Sequence, residues 1–222
     1  MIKWGARPDK IRVILNGVDT NRFDPIKIRP GKKNVCPVIL TARRLVKKNG
    51  VDSLLRAMPR LLDQVECKLF IIGDGPEKSG LIHLVEKLGL KNNVNFLGAI
   101  LHDDIAGYIA LADITVVPSI VEASSIFMLE SMAMGKPVVA TGAWGLAEII
   151  NGKNGLLTEA THLEETIAGL LCNEQMQRKL GENARKYVSE NHKWEKIAKL
   201  VESEYIRLRT HLPINEDLCT AP

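Results

Sequence analysis

Aromatic residues are scarce: Phe, Trp and Tyr together supply 5% of the 222 residues, whereas 45% are hydrophobic. The apolar content is therefore aliphatic, which suits strands buried on both faces of a parallel sheet. Long hydrophobic runs are missing too. The nearest, Ile109 to Val121, is interrupted by Asp113 and Pro118, so nothing approaches the ~20 apolar residues of a membrane-spanning helix. The opening Met1 to Pro8 has no signal-peptide pattern. Cys36, Cys67, Cys172 and Cys219 are scattered, and His83, His102, His162, His192 and His211 show no metal spacing. No Ser/His/Asp arrangement stands out either. The plain expectation is a reduced, cytoplasmic protein with buried thiols and no metal site. A net charge of only +4 gives no case for a nucleic-acid partner, while phosphate-bearing ligands would be compatible with it. No internal repeat or low-complexity segment occurs, and the length suits one domain.

What is present is alternation. Val38 to Ala42, Lys68 to Ile72, Val94 to Leu97, Ile114 to Val117, Val138 to Thr141 and Gly155 to Leu157 read as strands. Helices are expected over Val51 to Asp63, Glu77 to Leu88, Asp103 to Ala112, Ser125 to Met134 and Leu146 to Ile150. Pro59 predicts a kink or an early stop in the first of these, and Asp103 is a candidate N-cap for the third. Ile11 to Leu15 reads as one more short strand, followed by a turn at Asn16-Gly17-Val18-Asp19. Asp24 to Lys33 looks like a linker. From Leu163 to Arg209 the pattern is helical, with breaks near Cys172 to Gln175 and Ser189 to Lys193. The fold class is α/β: a doubly wound parallel sheet with C-terminal helices, whose ligand site lies beyond the carboxyl ends of the strands. The expected division is an entering strand and linker over 1–33, a nucleotide-binding Rossmann-like body over 34–192, a terminal helix over 193–211 and a disordered tail over 212–222.

Two segments carry chemistry. The first runs from Val117-Pro118-Ser119 through Glu122, Ser124-Ser125-Ile126-Phe127 and Glu130 to Gly135-Lys136-Pro137 and the strand Val138 to Thr141. Eight residues of helix advance about 80° beyond two whole turns, so the two acids would not share a face if both were helical. With Ser124 or Ser125 as N-cap, Glu122 falls in the loop and Glu130 inside the helix. The free N–H groups at that helix start form an anion site beside Glu122. The second segment, Arg43-Arg44-Leu45-Val46-Lys47-Lys48-Asn49-Gly50, places four cations in a loop after the first strand of the sheet. Arginine forks and mobile lysines both suit diphosphate oxygens.

Together these segments resemble the signature regions of retaining, nucleotide-sugar-dependent glycosyltransferases of the GT-B fold (the large family 4 group), and specifically the carboxyl-terminal, donor-binding half. The resemblance covers Ile11 to Arg209. It implies Arg44 and Lys48 on the donor phosphates, with Lys47 and Arg43 open as alternatives, because Asn49 stands where the commonest family form has Lys before the Gly. Glu122 would orient the sugar and stabilise its cationic form, and Glu130 would hold the ribose. Ser124, Ser125, Ile126 and Phe127 would meet the diphosphate. Gly73, in Gly73-Asp74-Gly75-Pro76, and Ile100, at the end of Asn95 to Ile100, would line the nucleotide. Trp194 would open the terminal helix as a packing residue.

The implied activity is transfer of a sugar, with retention, from a UDP-, GDP- or ADP-sugar to a glycan or lipid-linked acceptor, needing neither cofactor nor metal. An amino-terminal GT-B half, the usual home of the acceptor pocket, would be the missing partner. A lipid-linked acceptor would bring the protein to the inner face of the membrane. The competing readings are a nucleotide-sugar-binding module or subunit of a split enzyme, and an epimerase or phosphorylase on the same fold. No cofactor-lysine context for a phosphorylase is found.

Overall fold

The computed structural model describes residue 5 and residues 7–29, 35–142 and 144–211. Six parallel strands, β1 (Val38–Ala42), β2 (Lys68–Ile72), β3 (Val94–Gly98), β4 (Ile114–Val117), β5 (Val138–Thr141) and β6 (Leu156–Thr158), form one sheet in the order β3-β2-β1-β4-β5-β6. The order reverses between β1 and β4, so the loops leaving these neighbours diverge and open a crevice at their carboxyl ends.

Successive residues of the central strands face opposite sides, as the pleat requires. Ile39, Ile71, Ile114, Val116 and Val139 pack on one side against α1 (Val51–Leu62), α2 (Lys78–Lys87) and α6 (Leu163–Leu171). Leu40, Val117, Val138 and Ala140 pack on the other against α3 (Ile105–Leu111), α4 (Ile126–Ala133) and α7 (Glu174–Asn191). Both faces are covered, which explains why these strands are mostly aliphatic, with Thr41, Thr115 and Thr141 as their buried polar residues. α5 (Trp144–Ala147) follows β5, and α8 (Trp194–His211) closes the described chain.

Several expectations need correction. α1 runs through Pro59 to Leu62 instead of stopping. Proline costs a helix about 3 kcal/mol, but Leu54, Leu55, Met58 and Leu61 are completely buried on one face, at about 1.5–3 kcal/mol each. Ile11 to Leu15 forms no strand. Val13 is exposed, and among the described residues no strand pairs with this stretch; a single parallel bridge follows it, between Val18 and Lys193. The helix expected over Leu146 to Ile150 begins and ends earlier, as α5, and Ile149 and Ile150 turn back onto the Leu146 carbonyl. Asp103 is not a cap: its carboxylate takes the Arg22 guanidinium at 2.5 Å, and Asp104 occupies the cap position without a side-chain bond.

Asp24 to Ile28 is no loose linker. Asp24 accepts from Arg185 of α7 at 3.0 Å, and Phe23 is buried. Residues 30–34, the proposed tail 212–222 and Cys219 lie outside the described residues. Of the other thiols only Cys67 is buried; Cys36 is half-buried and Cys172 exposed.

Candidate functional site

A cavity of about 530 Å³ opens at the switch point between β1 and β4. From the β1 side it is lined by Ala42, Arg43, Arg44, Val46, Lys48 and Asn49. From the β4 side come Glu122 and the start of α4, Ser124 to Phe127. The two loops are laced together, because the Ile120 amide donates to the Lys48 carbonyl at 2.9 Å. Gly50 makes that approach possible. Its φ is +63°, and a Cβ there would lie 1.9 Å from the Pro118 carbonyl oxygen.

α4 starts at Ile126, with Ser125 in extended conformation as N-cap; its Oγ accepts from the Met128 amide at 3.2 Å. Of the two serines, Ser125 is thus the cap. The amide nitrogens at the helix start border the cavity beside Arg44 and Lys48, a combination that favours a negatively charged ligand. Ser124 Oγ takes a bond from Asn16 Nδ2 at 3.1 Å. The neighbouring His192 ring, through Nδ1, lies 3.0 Å from the Asn16 carbonyl oxygen. The cavity rim is thereby tied to the segment that leads into the domain.

Glu122 lies in the loop and Glu130 within α4, as the spacing predicts. Neither acid stands alone. Glu122 Oε2 is paired with Arg43 Nη2 and accepts from Ser119 Oγ at 3.3 Å. The main-chain carbonyl of Glu122 accepts from the Gly145 amide at 3.1 Å, which braces the loop against α5. Glu130 is buried, and its Oε1 lies 2.5 Å from His102 Nε2, on the loop after β3. The Arg43 side chain is only 6% exposed. Burial pulls its pKa down, and Glu122 opposes that pull. Among the described residues its Nε and Nη1 are buried without a hydrogen-bond partner.

Of the predicted site residues, Arg44, Lys48, Glu122, Ser124, Ser125, Ile126 and Phe127 line this one cavity. Gly73, Ile100 and Glu130 do not. Gly73, at φ +132°, packs against the Arg43 carbonyl oxygen, 1.8 Å from where a Cβ would sit, so its visible role is to let the β1 and β2 loops touch. Ile100 packs on the core face that carries α4. Lys47 is not in the lining, whereas Arg43 is. Sequence reasoning missed Ser119, Asn16 and His102 as partners of the site. For His102 a signal existed, two residues beyond Ile100. For Arg43 the signal was Asn49, a neutral residue where a cation was expected. Asn49 is buried and turns inward, donating through Nδ2 to the Arg44 carbonyl at 2.7 Å, while Arg43 Nη2 approaches its Oδ1 at 3.5 Å. Among the described residues no cluster of His, Cys, Asp or Glu is placed to hold a metal ion. No helix among them is long and apolar enough to cross a membrane.

A family model, glycosyl transferases group 1, matches residues 23–187. The chain belongs to this family. A curated relative, an uncharacterized glycosyltransferase of Methanocaldococcus jannaschii, is 34% identical over 204 residues, covering 86% of this chain and 52% of that protein. The N-acetyl-alpha-D-glucosaminyl L-malate synthase of Bacillus anthracis is 34% identical over 210 residues, covering 90% and 55%. Among solved structures, the Anabaena protein HepE in complex with UDP superposes with a TM-score of 0.82 at 26% identity, covering 93% of this chain and 60% of that one. The fold is therefore that of a GT-B glycosyltransferase domain, and this chain spans about half the length of the curated relatives it matches. As a group 1 glycosyltransferase domain, its sheet and flanking helices correspond to the carboxyl-terminal half of such proteins.

Proposed function

We propose that the cavity between the β1 and β4 loops is the donor site for a nucleotide diphosphate sugar, and that the chain is the donor-binding part of a retaining glycosyltransferase. The observation that carries this is the meeting of Arg44, Lys48 and the Ser125-capped start of α4 in one cavity with Glu122. Three positive elements face one carboxylate, which suits a ligand with a diphosphate at one end and a sugar at the other. Support comes from the Anabaena relative, whose structures hold UDP and UDP-glucose.

In this reading Arg44, Lys48 and the α4 amides stabilise the charge that grows on the departing diphosphate. They carry that task without a metal ion. Glu122 orients the sugar hydroxyls and stabilises the cationic sugar, and Glu130 holds the ribose hydroxyls. His102 shares Glu130 with the ribose or yields it. A phosphate oxygen of the donor takes the acceptor's proton. The acceptor, glycan or lipid-linked, would be presented by a second GT-B half, working in the cytoplasm or at the inner membrane face.

Calorimetric titration with UDP, GDP and ADP tests the reading, beside Glu130→Ala. Binding of one nucleotide, lost in the variant, is the expected result. No binding of any would overturn a preformed donor site. A binding module without catalysis is the second reading. Sugar transfer by this chain alone would eliminate it.

A further inference from the structure

Resting on that reading, we propose that Arg43 is a positioning residue that sets Glu122 for the donor's sugar and does not itself bind the phosphates. Both recorded side-chain bonds of Glu122, from Arg43 and from Ser119, go to Oε2. Oε1 is left as the oxygen available to a ligand in the cavity that Glu122 lines. A carboxylate on a loop has several rotamers, and ordering it costs entropy. A nearly buried guanidinium on one oxygen and a hydroxyl on the same oxygen leave few orientations for the other.

Arg43 is suited to this by where its donors lie. Its Nη2 meets Glu122, while Nε and Nη1 are closed off from solvent and from any partner. A phosphate in the cavity would find Arg44 and Lys48, both exposed, before those buried nitrogens. Asn49 completes the arrangement. It presents a carbonyl oxygen 3.5 Å from Arg43 Nη2, where a lysine would bring a like charge against the guanidinium. Arg43 and Asn49 are thus matched to each other within the loop.

The test measures affinity for UDP, UDP-glucose, UDP-N-acetylglucosamine, GDP and GDP-mannose, in the wild-type chain and in Arg43→Met, Arg43→Lys, Glu122→Gln and the double variant Arg43→Met/Glu122→Gln. The double variant removes both charges and so guards against a single variant that fails to fold. The expected result is that UDP or GDP binds all variants equally. The preference for the sugar-bearing ligand should fall by about tenfold, the worth of one hydrogen bond to a charged group. That fall should match in Arg43→Met, Glu122→Gln and the double variant, and Arg43→Lys should recover part of it. An unchanged preference in Arg43→Met or the double variant overturns the proposal alone. So does a parallel loss of plain nucleotide and sugar nucleotide, which would make Arg43 a phosphate ligand. A wild-type chain that binds no nucleotide overturns the donor-site reading, and the proposal with it.

Discussion

Two cations sit at opposite ends of the sheet, Arg43 with a buried side chain and Lys136 half-buried, and they are treated differently. Lys136 precedes β5 at the amino edge. Its Nζ donates to the carbonyls of Ala110 and Ala112, at 2.8 and 2.7 Å, and so ties off the end of α3. Burial lowers its pKa, with Asp113 opposing, but its donors are largely spent on the frame. Arg43, after β1 at the carboxyl edge, has one nitrogen engaged by Glu122 and two buried with no partner. Buried donors are almost always satisfied where only stability is at stake. Lys136 therefore serves the frame, whereas Arg43 keeps donor capacity that the described residues leave unused.

That contrast can be broken by experiment. The largest expected effect is on Arg43→Met, which strands the Glu122 carboxylate. Removing one member of a buried pair costs about 3 kcal/mol at the lower end of the usual range, read as a shift in urea midpoint. Adding Glu122→Gln should recover most of it, because the uncompensated charge is gone. Lys136→Met should cost about 2 kcal/mol through its orphaned carbonyls. No second side-chain change can restore it, since its partners are main-chain atoms. It should leave UDP affinity unchanged; a loss there would mean that the amino edge also shapes the cavity. Arg44→Ala should weaken UDP by about tenfold while sparing uridine, as expected for loss of a charge-assisted phosphate contact. Equal loss of both ligands would remove Arg44 from the phosphates. The smallest effect is chemical. Burial, with Cys36 nearby, pushes the Cys67 thiol up to about 11, so it stays protonated and unreactive at neutral pH. Iodoacetamide should label exposed Cys172 first, with Cys67 protected until unfolding; early labelling of Cys67 would show that the β2 edge opens.

The strands were readable because a doubly buried parallel strand is dominated by aliphatic side chains, and few other elements look like Val38 to Ala42 or Val138 to Thr141. The cavity was readable for a related reason. Arg44, Lys48 and the Ser124 to Phe127 start of α4 follow strands that flank the reversal in strand order, and topology alone brings such loops together. The pairings were not readable. Arg43 and Glu122 are 79 positions apart, His102 and Glu130 are 28 apart, and Asn16 and Ser124 are 108 apart. Apart from Asn49 before Gly50, no local pattern reports which cation turns inward. Pro59 and Asp103 misled because local preference lost to tertiary terms, apolar burial in one case and the Arg22 ion pair in the other.

The bridge between Val18 and Lys193, with the Val18 amide on the His192 carbonyl at 2.7 Å, has a consequence for descent. The strand-and-helix body lies between two points of the chain that touch. A unit whose entry and exit stand side by side can be spliced into different neighbours without its interior being re-threaded. Such a unit can pass between larger proteins as one piece, its sheet intact.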